Sequence, residues 1–239
     1  MVGSVQDTFL MILLLFDIDG TLMDTGGAGM AALQDAAMDC FQLTREQVPA
    51  FDLAGATDLG VVENLLAALG LDWCSTRAEA FRSAYLSALE TRLSAKEFRG
   101  RLLPGVAELL ETLSGDVRFA LGLLTGNYRR GAELKLERFG LKEFFAEGAF
   151  GDDAADRNLL GPVALGRMRQ QAGHKFTAER TIIIGDTPRD IDCAKAVGAR
   201  CLAVATGAFT QHQLAAHQPW QTLAVLSDTV MVHKLLAEV

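Results

Sequence analysis

The sequence predicts an α/β fold: a parallel sheet with helices on both faces and a block of helices inserted after the first strand. Three observations predict it. Short apolar runs alternate with helix-period segments through the second half of the chain. One further apolar run, Met11–Phe16, stands alone far ahead of them. The stretch between, from Thr25 to about Phe98, has helical spacing of its apolar residues and no good strand.

The predicted strands are Met11–Phe16, Arg118–Leu124, a weak one at Gly148–Phe150, Thr181–Ile184 and Cys201–Ala205. Continuous apolar runs of this length suit strands buried on both faces. Pro104–Leu113 opens on a Pro-Gly pair suited to a helix start. Arg130–Phe139, Asn158–Gln171 and Arg189–Val197 read as helices stopped by Gly140, Gly173 and Gly198. Strands alternating with helices in this way imply a parallel sheet. In the insertion, Ala28–Phe41, Asp58–Leu69 and Ala78–Lys96 read as helices. The domain division expected is 1–24 plus 99–239 for the sheet and 25–98 for the insertion. The Gly26-Gly27-x-Gly29 run at its entry lacks the spacing of a phosphate loop and reads as a hinge.

The chain has 239 residues, half of them hydrophobic, and a net charge of −8. That charge argues against a nucleic-acid partner, which needs a basic surface. It leaves room for a small phosphorylated substrate at a locally positive site. Cys40, Cys74, Cys193 and Cys201 show no C-x-x-C spacing and read as buried thiols of a reducing compartment. The four histidines form no zinc pattern, and His212 and His217 read as surface-loop residues. The apolar run Phe9–Phe16 has no preceding Lys or Arg, and it is far shorter than the roughly 20 residues of a membrane span. A soluble cytoplasmic protein is expected.

Three strings carry chemistry. Asp17-Ile18-Asp19-Gly20-Thr21-Leu22 follows the first buried strand. Gly20 lets the chain turn and approach a ligand. One carboxylate can attack phosphorus, and the other can protonate a leaving oxygen and then activate water. Leu124-Thr125-Gly126-Asn127 follows the second strand, where a hydroxyl and backbone N–H groups can bind phosphoryl oxygens. Gly185-Asp186-Thr187-Pro188-Arg189-Asp190 follows the β-branched run and offers Asp186 to a divalent cation. There Asp190 can hold a metal-bound water or orient a neighbouring cation. Each string alone could be a polar turn. Together they sit at the carboxyl ends of three strands, the edge where open α/β sheets bind ligands.

These strings, in this order and spacing, resemble the haloacid dehalogenase superfamily from Leu10 onward. The resemblance implies a Rossmann-like sheet of order 3-2-1-4-5 with an all-helical cap inserted after strand one. It implies Mg²⁺ held by the Asp17 carboxylate, the Asp19 backbone carbonyl and the Asp186 carboxylate. Asp17 is the implied nucleophile and Asp19 the implied acid/base. True dehalogenases lack an acid at the Asp19 position, so phosphate-ester chemistry is favoured. The helical cap and GDTPRDIDCAKAVGA are most similar to phosphoglycolate-phosphatase-like members.

One feature departs from the family. Members place a Lys at the start of the helix before the last motif. Here Arg157 precedes that helix and Lys175 follows it. About 14 helical residues span roughly 21 Å, so only one of the two can reach the active edge. Arg157 is assigned the role, with pairing to the Asp152/Asp153/Asp156 loop as the alternative. In the cap, Thr57 can touch substrate or simply cap a helix. Phe81 and Tyr85, at i and i+4, read as core packing.

The function expected is a Mg²⁺-dependent phosphomonoesterase acting on a small, phosphoglycolate-like metabolite, with Thr125, Gly126 and Asn127 binding phosphate. The alternatives are a phosphomutase, such as a β-phosphoglucomutase-like enzyme, or a phosphate-binding protein with impaired catalysis. Residues 25–90 contain no Lys or His, which disfavours mutase and phosphonate-cleaving chemistry. No membrane partner is expected, and a monomer and a homodimer are both compatible with the sequence.

Overall fold

The computed structural model describes residues 11–172 and 176–239. Phe9, Leu10, the helix stop at Gly173, His174 and Lys175 lie outside them. In chain order the elements begin with strand β1 (Ile12–Phe16) and the short strand β2 (Met23–Asp24). Helices α1 (Ala28–Phe41), α2 (Asp58–Ala68) and α3 (Ser75–Ser94) follow. The chain returns through β3 (Arg101–Leu102), α4 (Val106–Ser114), β4 (Phe119–Leu124), α5 (Arg129–Phe139) and β5 (Gly148–Ala149). It ends with α6 (Leu160–Ala172), β6 (Thr181–Gly185), α7 (Pro188–Val197), β7 (Arg200–Val204), α8 (Gln211–Ala216), β8 (Gln221–Leu223) and α9 (Thr229–Leu236).

The main sheet has the order β5-β4-β1-β6-β7-β8, and all its pairings are parallel. In chain order of the sheet strands this reads 3-2-1-4-5, with β8 added as a sixth at the edge. The sequence gives β8 little signal, because it is three residues long, partly polar and only partly buried. β2 and β3 form a separate antiparallel ribbon with Met23 opposite Leu102. The ribbon lies where the chain leaves the sheet and where it returns.

Alternation along a strand explains the layers. Successive side chains point to opposite faces, so a strand buried on both sides is apolar at every position. Leu14, Phe16, Ile182 and Ile184 pack into one cluster with Leu110 of α4, Leu136 of α5 and Val232 of α9. Leu13, Leu15 and Ile183 pack on the other face with Leu165 of α6, Ile191 of α7 and Leu214 of α8. Helices α1, α2 and α3 build a third cluster around Leu33, Val62, Leu66, Phe81 and Leu89. Tyr128 and Leu134 of the sheet side complete it.

Most helix bounds differ from the expected ones by one to three residues; α4 runs Val106–Ser114 rather than Pro104–Leu113. α3 starts three residues before Ala78 and stops at Ser94. The expected helix Asn158–Gln171 opens instead as a 3-10 turn, Arg157–Leu159, before α6. Among the cysteines, Cys193 and Cys201 are buried, whereas Cys40 and Cys74 are only partly covered; all four are free. Among the described residues no helix is long and apolar enough to cross a membrane.

Phe81 is fully buried at the centre of the three-helix cluster. Phe81→Ala is expected to cost about 3–5 kcal/mol, the usual loss for a large aromatic removed from a core. The shift of the urea midpoint at unchanged slope measures it.

Candidate active site

Asp17 follows β1 directly, and its N–H still donates to Ile184 O at 2.9 Å, so the sheet itself fixes this backbone. The side chain is buried. The chain then turns through Gly20, whose φ is +78°. A Cβ at Gly20 would collide with the Asp186 carboxylate, and so would one at Gly207. Two glycines therefore let the backbone close around Asp186, which leaves the end of β6. Thr21 Oγ1 donates to Asp186 Oδ1 at 3.2 Å. Thr206 Oγ1 donates to Gly20 O at 2.6 Å, tying the two loops.

Carboxylate oxygens of Asp17, Asp186 and Asp190 all lie within 4.8 Å of one another. Burial raises Asp17 to about 6, against the opposing pull of Arg157 and with further repulsion from Asp190. Burial and the neighbouring Asp190 and Asp17 raise Asp186 to about 8. Crowded, buried carboxylates disfavour their own ionisation. A hard cation would relieve that repulsion, and an all-oxygen donor set suits Mg²⁺. The residues present fit the ion the family resemblance implies.

Arg157 is buried, with Nη2 at 3.2 Å from Asp17 Oδ2 and 2.5 Å from Asp190 Oδ1. Burial works against its charge, but Asp190 and Asp17 outweigh that and hold it above its ordinary value. Its Nε is buried and has no hydrogen-bond partner among the described residues. The loop carboxylates are engaged elsewhere: Asp153 pairs with Arg167, Asp152 with Arg82, and Asp156 caps the 3-10 turn through Asn158 N. The alternative partner set for Arg157 is thus taken. Asp190 is fully buried and accepts from Thr187 N and Oγ1 as well as from Arg157. The cation beside it is the Arg157 guanidinium.

The Thr125 turn ends β4. Thr125 is fully buried, and its Oγ1 accepts from Asn127 N at 3.3 Å and Asn127 Nδ2 at 2.8 Å. Its hydroxyl hydrogen remains available to donate. A Cβ at Gly126 would overlap the Ala56 carbonyl. The loop before α2 therefore rests directly on this turn, with Asp58 N donating to Gly126 O at 2.7 Å.

Thr57 does not line the cavity. Its hydroxyl accepts from Gly60 N as the cap of α2 and donates to Ala155 O at 2.6 Å. The neighbouring Leu53–Ala56 and Asp58 line the cavity instead. Tyr85 lines it too, so it is more than core packing; Phe81 is not part of that wall. The cavity holds about 520 Å³ between the sheet edge and the three-helix layer, and no described histidine lines it.

Two residues were not legible as site residues. Lys135 of α5 is buried and reaches Asp19 Oδ2 and Asn127 Oδ1, both at 2.5 Å. Asp58 is buried and accepts from Tyr128 N at 2.7 Å. Burial raises its carboxyl to about 7, opposed by that N–H and by Lys135.

Asp17, Asp58 and Asp186 all bind a proton more tightly folded than at their ordinary value of 3.8. Such groups favour folding at low pH, and that contribution is lost as pH rises through the folded values. Metal-free protein is therefore expected to lose on the order of 2 kcal/mol of stability between about pH 6 and 8. Urea midpoints in chelator check this. Asp58→Asn should flatten the slope, and a midpoint that rises with pH would contradict the assignment.

The family model described as haloacid dehalogenase-like hydrolase matches residues 14–204. A phosphoglycolate phosphatase of Vibrio vulnificus (strain CMCP6) is 27% identical over 236 residues, covering 92% of this chain and 96% of that one. Two solved structures share the fold. A hydrolase from Pseudomonas syringae has a TM-score of 0.69 at 21% identity, covering 92% of this chain and 96% of that one. CbbY from Rhodobacter sphaeroides, in complex with phosphate, has a TM-score of 0.68 at 18% identity with the same coverage. With the match spanning most of the chain, this protein belongs to the haloacid dehalogenase-like hydrolase family.

Proposed function

We propose that the chain is a Mg²⁺-dependent phosphomonoesterase that hydrolyses a small phosphorylated metabolite through an aspartyl-phosphate on Asp17. One observation carries this reading: Asp17 lies in ion-pair contact with the buried Arg157, within 4.8 Å of Asp186, in the wall of a cavity that Asp19 also lines. A carboxylate beside a fixed guanidinium can attack phosphorus while the cation offsets the charge gathering on the phosphoryl oxygens.

Each remaining group takes a role from its contacts. The Thr125 hydroxyl and the N–H groups of the Gly126–Asn127 turn bind phosphoryl oxygens. Asp190 fixes Arg157. Asp19 gives its proton to the leaving alkoxide and then takes one from the attacking water. The Asp17 and Asp186 carboxylates and the Asp19 carbonyl would hold Mg²⁺, which supplies positive charge against the transferring phosphoryl group. Residues 25–98 serve as the cap, and their closure over the cavity excludes bulk water. A phosphoglycolate-like substrate is supported by the name of the Vibrio vulnificus relative. The cavity, about 520 Å³, has room for a larger leaving group.

A panel of phosphate monoesters with Mg²⁺ tests the reading. Turnover is expected, and it should vanish in chelator. Asp17→Asn is expected to lower kcat/KM by more than about 10³-fold, as removal of a covalent nucleophile does. Full activity in that variant would remove Asp17 as the nucleophile. Failure of the wild-type protein on the whole panel would remove the phosphatase reading.

A further inference from the structure

Lys135 has a surrounding that packing does not explain. It sits on α5 with 3% of its side chain exposed. A buried ammonium is costly, and an apolar side chain there would serve the core at least as well. Its hydrogen-bond partners are Asp19 Oδ2 and Asn127 Oδ1. Asn127 closes the triangle, with Nδ2 donating to Asp19 Oδ2 at 2.8 Å and to Thr125 Oγ1 at 2.8 Å. On the far side, a Cβ at Gly29 of α1 would come only within 3.8 Å of Lys135 Nζ, so α1 leaves the ammonium room.

The two contacts on Asp19 fall on the same oxygen. Oδ2 accepts from both Lys135 and Asn127, while Oδ1 has no partner among the described residues. The Asp19 side chain is 43% exposed and lines the cavity. A carboxyl oxygen that already accepts two donors has no lone pair left for a proton. The proton of a neutral Asp19 must then sit on Oδ1.

We infer that Lys135, acting with Asn127, is the positioning residue for Asp19: it holds Oδ2 so that every proton transfer runs through Oδ1, toward the leaving oxygen. The inference rests on the phosphatase reading. In the first half-reaction the Asp17 carboxylate forms a bond to phosphorus as the bond to the ester oxygen breaks. That oxygen takes the proton from Asp19 Oδ1 and leaves as an alcohol. In the second half, water attacks phosphorus and gives a proton back to Oδ1. The acyl phosphate bond to Asp17 breaks, and inorganic phosphate leaves. Lys135 also lines the cavity; the role inferred for it runs through Asp19, to which its ammonium is bonded.

Leaving-group dependence separates positioning from scaffolding. p-Nitrophenolate departs without a proton, whereas phenolate, a stronger base, needs more help from the acid. Lys135→Met is expected to lower kcat/KM for phenyl phosphate about tenfold or more beyond its loss for p-nitrophenyl phosphate. Lys135→Arg should recover part of the difference. Equal losses on both esters would make Lys135 structural and overturn the inference while the phosphatase reading stands; so would no loss on either. If Lys135→Met does not fold, Asn127→Ala removes the other donor and must show the same ester-dependent loss. Wild-type protein inert toward both esters with Mg²⁺ would overturn the phosphatase reading and this inference with it.

Discussion

Asp17, Asp186 and Asp190 converge at the end of one sheet with the guanidinium of Arg157 buried among them. Charges withdrawn from water interact strongly, and an unpaired one is costly. Each element nearby is arranged to hold this cluster. The capping box of α7 directs Thr187 N and Oγ1 onto Asp190. Asp190 then fixes Arg157, and Cys193 Sγ of the same helix donates to the Arg157 carbonyl at 3.3 Å. The 3-10 turn that interrupts the start of α6 places Arg157 at the active edge. A regular helix beginning there would have needed no such turn. The cluster still has more negative than positive charge, which is why burial and mutual repulsion raise both Asp17 and Asp186.

The same edge sets the position of the helical layer. Its loop before α2 reaches the sheet through backbone and charged contacts rather than through apolar packing alone. Arg189 donates to Ala54 O and pairs with Asp52, Arg157 Nη1 donates to Gly55 O, and Asp58 bridges to Gly126 and Tyr128. Gly126 and Gly55 permit this approach, since a Cβ at either would collide with the opposing loop. Two of the residues making these contacts, Arg189 and Gly126, belong to the motif strings themselves. The contacts that seat the layer and those that order the site are therefore shared, and the cavity is lined from both sides.

Much of this was legible in the sequence because the chemistry sits next to strong local signals. β1 and β6 are apolar at every buried position but Thr181, and a strand buried on two faces has to be. The acids that follow them are placed at the edge by chain direction alone. Helix length said that Arg157 and Lys175 cannot both reach that edge, and Arg157 is found in contact with Asp17. Lys135 was not legible. It lies in a helix whose exposed positions carry Arg and Glu, and periodicity cannot tell a solvated lysine from one turned into a cavity roofed by a distant segment. Asp58 was hidden in the same way: Thr57 drew attention as a helix cap, which it is, while the next residue makes the contact across the layers. β8 and the β2–β3 ribbon were missed because strands of two or three residues leave no period to read.

Asp17 and Asp19 are two residues apart in one string, and their surroundings differ in the way the proposed mechanism asks. Asp17 is buried against a guanidinium that is itself held by a second acid. Asp19 is half-exposed and tethered by an ammonium and an amide on one oxygen only. Pairs of carboxyl groups acquire separate roles when their environments differ in this way. Arg157 comes from the turn before α6 and Lys135 from the middle of α5, so each acid receives its cation from a different helix. An arginine suits the first place, where one guanidinium serves two carboxylates through Nη2 and a backbone carbonyl through Nη1. A lysine suits the second, where a compact charge has to reach one oxygen and leave the other open to the cavity. In the proposed mechanism the division of labour within the Asp17–Asp19 string thus lies in which segment supplies which cation.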